Sequence, residues 1–134
     1  MEYNEFITHV QSLAQSNSRE EAERATRATL ATIKERLPQD EAQAVAAELP
    51  LELGQPLQAT EGESNASFSM QEFISRVSQK ENIEPTTTVI HVRAVFAVLQ
   101  NAINPEKFAK FHHYFDHGYE ELFTTSPNSE IPAL

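Results

Sequence analysis

An all-α fold follows from the sequence: a six-helix bundle built from two tandem three-helix repeats that share one core. Three observations lead there. Glycine is scarce, at 3 of 134 residues, while hydrophobic residues make up 40%, a balance that favours helices over a turn-rich β sandwich. Apolar residues recur at steps of three and four along most of the chain. Two stretches, Arg27–Pro50 and Arg93–Asp116, carry the same apolar spacing although few of their letters agree, as expected of an internal duplication.

The first repeat is assigned to residues 1–53. Tyr3, Phe6, Ile7, Val10, Leu13 and Ala14 form one apolar stripe, so the first helix covers residues 3–14. Asn17-Ser18 interrupts it. Ser18 and Glu21 have the spacing of a capping box, in which the hydroxyl accepts from the Glu21 amide. The second helix runs from about residue 19 to 36, with Ala22, Thr26, Leu30, Ile33 and Leu37 on one side. Leu37-Pro38 ends it, because proline disfavours helical geometry at the residue before it. A third helix, with Ala42, Val45, Ala46 and Leu49 inward, stops near Pro50. Residues 54–67, GQPLQATEGESNAS, are polar and lack periodicity, which marks a linker loop.

The second repeat is assigned to residues 68–123. Ser69 and Glu72 repeat the capping box, and Phe68 with Phe73 flanks it as a hydrophobic staple. Met70, Phe73, Ile74 and Val77 are the stripe of the fourth helix. Pro85 suits the first turn of the fifth, along which Val89, Val92, Phe96, Leu99 and Ile103 step by three or four. Asn104-Pro105-Glu106 starts the sixth with a capping side chain, a first-turn proline and an acid at the positive end of the dipole. Phe108, Phe111, His112 and Phe115 continue its inner face. Gly118 is a left-handed stop, after which YEELF adds one more turn. The tail, residues 124–134, is too polar and proline-broken to pack and is expected to be mobile.

The copies align position by position. Thr26, Leu30, Ile33 and Leu37 fall on Val92, Phe96, Leu99 and Ile103, while Ala42, Val45, Ala46 and Leu49 fall on Phe108, Phe111, His112 and Phe115. Small residues in one copy meet bulky ones in the other, so one shared core fills without voids.

EFITHV followed by RATLATIKERLPQDEAQAVAAELP resembles the bacterial domain-of-unknown-function 2267 family. That pattern runs Phe-Leu-x-x-Val, Arg-Ala-Val-Leu, Arg-Leu-Pro, Glu-Ala and a closing Leu-Pro. Here its counterparts are Phe6 to Val10, Arg27 to Leu30, Arg36-Leu37-Pro38, Glu41-Ala42 and Leu49-Pro50. EFISRV and RAVFAVL are similar again. The second copy departs at Ile103-Asn104-Pro105, where Leu-Pro is displaced, and at Phe115-Asp116, where the closing Leu-Pro is lost. The resemblance spans nearly residues 1–123. It implies a duplicated helical bundle and carries over no catalytic residue.

Charge and composition exclude several functions. The net charge of −10 repels phosphate backbones and anionic lipid surfaces, so neither nucleic acid nor membrane is an expected partner. Cysteine is absent, which removes disulfides, thiol nucleophiles and thiolate metal sites. MEYNEFITHV has acids where a signal peptide has bases, and no apolar run reaches membrane-span length. A soluble cytoplasmic protein is expected.

The chemistry-bearing residues are few. His113 and His117 lie four apart on one helix face, and with Asp116 or Glu120 they have the spacing of a metal site. The simpler reading places both in a last turn, where imidazoles meet the negative end of the dipole. It places His112 on the apolar stripe as a core or boundary histidine. His9 and His91 stand alone, without a paired nucleophile or orienting acid, and read as surface or boundary side chains. No G-x-S-x-G, G-x-G-x-x-G or Walker lysine occurs; no catalytic residue and no cofactor are expected. Arg27 and Arg93, like Glu5 and Glu72, recur in both copies and are expected either to pair across helices or, for the acids, to serve as first-turn charges. The expected function is a non-catalytic interaction module. It would bind a protein partner or a second copy through a groove between repeats or an exposed aromatic patch of Tyr114, Tyr119 and Phe123, with its acidity selecting basic partners. The alternative is a small-ligand or metal-binding bundle using residues 112–117.

Overall fold

The computed structural model describes residues 1–59, 62, 64–115 and 118–123. Seven α-helices follow in order: α1 Tyr3–Ala14, α2 Arg19–Arg36, α3 Gln39–Ala46, α4 Leu51–Gln58, α5 Met70–Glu81, α6 Pro85–Ala102 and α7 Pro105–His113, before a 3₁₀ turn at Glu120–Phe123. No strand occurs among the described residues. The expected tail lies outside them.

Side chains cap three of the seven helix starts. Ser18 Oγ accepts from the Glu21 amide at 3.1 Å, Ser69 Oγ from the Glu72 amide at 3.1 Å, and Asn104 Oδ1 from the Glu106 amide at 2.8 Å, so each cap satisfies an otherwise orphaned helical donor. Both α1 and α5 end on a left-handed residue, Gln15 (φ 53°) and Asn82 (φ 59°).

The structure adds a helix where sequence reasoning placed a linker. α4 covers Leu51–Gln58, and so takes up the first part of the expected 54–67 loop. Gly54 and Pro56 hide it, since both disfavour helix interiors. Packing overrides them. Leu53 and Leu57 are fully buried, and a Cβ on Gly54 would stand 3.2 Å from the Ala46 carbonyl oxygen, so glycine lets α4 close on α3. The last helix is shorter than expected. α7 stops at His113 because the Tyr114 and Phe115 amides bond three residues back, to Phe111 and His112 oxygens, tightening the end into a 3₁₀ turn. Gly118 keeps its left-handed role (φ 84°) in the bend beyond.

The two long helices organise the packing. α1 and α5 each lie against both α2 and α6; α4 lies on α2 and α3, the final turn on α6, and α3 meets α7. The first helix of each half therefore covers the long helix of the other half as well as its own. Thr26, Thr29 and Thr32 are wholly buried on α2. Thr26 and Thr32 donate to the carbonyls four residues back, at 2.8 and 2.9 Å, which satisfies them within their own helix. Phe96 is the hub of an aromatic cluster, with its ring centroid 5.9 Å from Phe73, 5.7 Å from Phe111 and Phe115, and 5.1 Å from Phe123.

Candidate functional site

The most chemically distinctive group in the fold is a buried histidine between two carboxylates. α5 delivers Glu81 on its last residue, and the left-handed Asn82 then turns the chain back. The Ile83 amide bonds to Ser78 O at 3.2 Å, and Thr88 Oγ1 donates to Glu84 O at 3.0 Å. These bonds fix the start of α6 so that His91 faces Glu81. His91 Nδ1 lies 3.0 and 3.2 Å from the two Glu81 oxygens. Its Nε2 lies 3.2 Å from Glu21 Oε2, in the first turn of α2. The His91 and Glu81 side chains are 2% and 0% exposed, whereas Glu21 keeps 21% of its side chain in solvent.

Burial opposes charge on the ring and would lower its pKa. Hydrogen bonding to Glu81, the Glu81 charge and then Glu21 outweigh it and hold the imidazole above the ordinary histidine value. The expectation that His91 is a lone surface or boundary residue is thus corrected: it is buried and doubly partnered. A sequence signal existed, because His91 lies at helical spacing with the inward residues Thr88, Val92 and Val95. Its acids could not be read, since they reach it from two other helices.

Both ring nitrogens face a carboxylate. The arrangement joins three helices.

A second feature lies on the surface. Met1, His9, Ser12 and Leu13 on the α1 side, and Ala97, Val98 and Asn101 on α6, line a groove. Met1 and Leu13 are 40% and 37% exposed. At its Met1 end the groove meets a second hollow lined by Glu2 and Glu52.

The other expected residues fall differently. Tyr119 is buried at 1% exposure, and Tyr114 and Phe123 are partly buried against the core, so the three form no exposed aromatic patch. The reason is the fold-back of residues 118–123. The Tyr119 hydroxyl donates to Phe68 O at 2.7 Å and lies 3.0 Å from Ser69 O, and burial pushes its pKa up to about 12 despite the opposing charge of Arg36. Arg36 closes the same corner: it donates to Phe68 O and, at 2.7 Å, to Tyr114 O, and stands over the Tyr119 ring at 4.7 Å.

His112 is exposed rather than part of the inner face, with its ring 4.1 Å from that of Phe123. His113 is also exposed, with its ring 6.0 Å from Tyr114. Asp116 and His117 lie outside the described residues. No group of three or more potential metal ligands occurs among the described residues. Glu5 accepts from the Glu2 amide and Glu72 from Arg76 Nε at 2.9 Å, so both acids act at the start of their own helices. Glu35 on α2 makes a cross-helix tie, taking Arg76 at 3.0 Å and Lys80 at 3.1 Å from α5.

An all-helical bundle, fastened inside by a Glu–His–Glu cluster, is the class these features define. The chain belongs to the family described as uncharacterized conserved protein (DUF2267), whose model matches residues 3–122. No curated protein matches it. Among the described residues no helix is long and apolar enough to cross a membrane.

Proposed function

We propose that this chain is a non-catalytic protein-interaction module whose docking surface is the groove between α1 and α6. The observation that carries the reading is an apolar trough, with Met1 and Leu13 left exposed beside Ala97 and Val98, opening onto acid-lined ground at Glu2 and Glu52. Glu5, His9, Ser12 and Leu13 share one helical face by their spacing. The fitting occupant is a basic amphipathic helix from another protein, with its apolar stripe on Leu13 and its cations toward Glu2 and Glu52. The engagement of both His91 nitrogens supports the non-catalytic part of the reading.

The halves are read as tandem copies of one helical trio. α1, α2 and α3 correspond to α5, α6 and α7, and α4 corresponds to the final 3₁₀ turn, with Leu53 and Leu57 standing for Tyr119 and Phe123. The reciprocal packing of α1 on α6 and α5 on α2 supports this, as do the matching left-handed stops at Gln15 and Asn82. In that alignment Glu81 and His91 fall on Ala14 and Ala25, so the buried pair has no counterpart in the first copy.

The docking proposal separates from plain charge attraction by one substitution. Leu13→Glu adds an acid, so diffuse electrostatic binding of a basic amphipathic peptide would strengthen. Groove docking predicts about tenfold weaker binding in a fluorescence-anisotropy titration, the loss expected for one apolar anchor. Unchanged or tighter binding by Leu13→Glu would refute the groove.

A further inference from the structure

We infer that Glu21, His91 and Glu81 form a pH-sensitive latch: the protonated imidazole pins the first turn of α2 to the α5–α6 hairpin, and loss of one proton frees that turn. The geometry sets the proton count. A neutral imidazole has one N–H and one lone pair, yet both nitrogens of His91 face carboxylate oxygens, at 3.0 and 3.2 Å. Only the imidazolium donates to both.

When a proton leaves, the remaining N–H goes to the stronger claim. Glu81 is wholly buried and touches Nδ1 with both oxygens, so an unpartnered charge there would be costly. Nε2 then turns a lone pair toward Glu21. Glu21 is partly exposed and belongs to a first helical turn, so it can swing to water. The contact that opens is therefore Glu21 to His91, while Glu81 to His91 holds.

The charged groups acting on the ring are Glu81 from α5 and Glu21 from α2. Glu20 and Arg24 on α2 and Lys80 on α5 are exposed, and Lys80 bonds to Glu35. On α6 itself Glu84 is exposed and Arg93 is half-buried with its own interactions. α1 turns Phe6, Ile7 and Val10 inward and leaves Glu2, Glu5 and His9 exposed. On α7, Glu106, Lys110, His112 and His113 are exposed and Lys107 pairs with Glu48; Glu120 and Glu121 of the final turn are exposed.

The sign follows from the raised pKa of the folded state. The latch's contribution is complete below the unfolded histidine value of 6.5 and is lost as pH rises through the higher folded value.

The test compares the full chain with His91→Gln by urea unfolding across pH 5.5 to 9. The native folding constant, relative to that of His91→Gln, should fall about tenfold for each unit by which the folded pKa exceeds the unfolded one. Parallel profiles would overturn the latch. If His91→Gln does not fold, Glu21→Gln serves, since its amide can donate to neutral Nε2 and should flatten the profile; an unflattened profile would overturn it equally. Nitrogen-15 shifts of the ring give an independent readout. Both His91 nitrogens should stay protonated to above the ordinary histidine value of 6.5, and titration at or below that value would overturn the assignment.

Discussion

Phe96→Ala should lower the unfolding free energy by about 3–5 kcal/mol, the usual cost of truncating a buried aromatic. Phe96 is 1% exposed and its ring touches those of Phe73 on α5, Phe111 on α7, Phe115 just past the end of α7, and Phe123 in the final turn. These rings meet mostly edge to face, an arrangement that adds to burial and that a rearranged neighbour cannot reproduce. The hole left by the missing ring would be lined by other rings, which are too stiff to collapse into it. Urea unfolding of the variant measures the effect through a lower midpoint at similar slope. A loss under about 1 kcal/mol would mean that the aromatic cluster relaxes freely, contrary to a close-packed core.

His91→Leu should cost about 3–5 kcal/mol at neutral pH, as removing one partner of a buried ion pair does. Leucine fills much of the imidazole volume, so the penalty is electrostatic rather than steric. Glu81, with a wholly buried side chain, is left without its counter-charge, whereas Glu21 can turn to solvent. The second substitution separates these causes. Glu81→Leu in the His91→Leu background removes the stranded carboxylate and should recover most of the loss, since an apolar pair often replaces a buried ion pair at little cost. Equal stabilities of the single and double variants would show that shape, not charge, fixes this corner.

How far the sequence speaks for itself differs by element. The bounds of α1 and α2 were legible because a single stripe coincides with a serine–glutamate cap, and Asn104-Pro105-Glu106 announced α7 equally well. α4 was not legible: Gly54 and Pro56 argue against a helix locally, and only the close approach to Ala46 and the burial of Leu53 and Leu57 make it stable. Tyr119 was misread as surface for a related reason. YEELF reads as one more turn, but its letters do not say what covers its apolar side; Tyr119, Leu122 and Phe123 share the spacing of one face and fold back onto α6. The buried cluster was half legible. His91 sits on an inward stripe, but a helical period says nothing of Glu21, which arrives from α2, or of Glu81, which arrives from α5 across the Asn82 turn. The groove was expected only in outline, because its lining depends on which faces α1 and α6 leave uncovered once packed.

The two halves hold one core, since α1 covers α6 and α5 covers α2, and they should open together. Native-state hydrogen exchange at the amides of Val10, Leu30, Val77 and Leu99, in α1, α2, α5 and α6, tests it most directly. A common opening free energy at all four, equal to that of global unfolding, is the predicted result; an early, separate opening of Val10 and Leu30 with Val77 and Leu99 still protected, or the reverse, would contradict it.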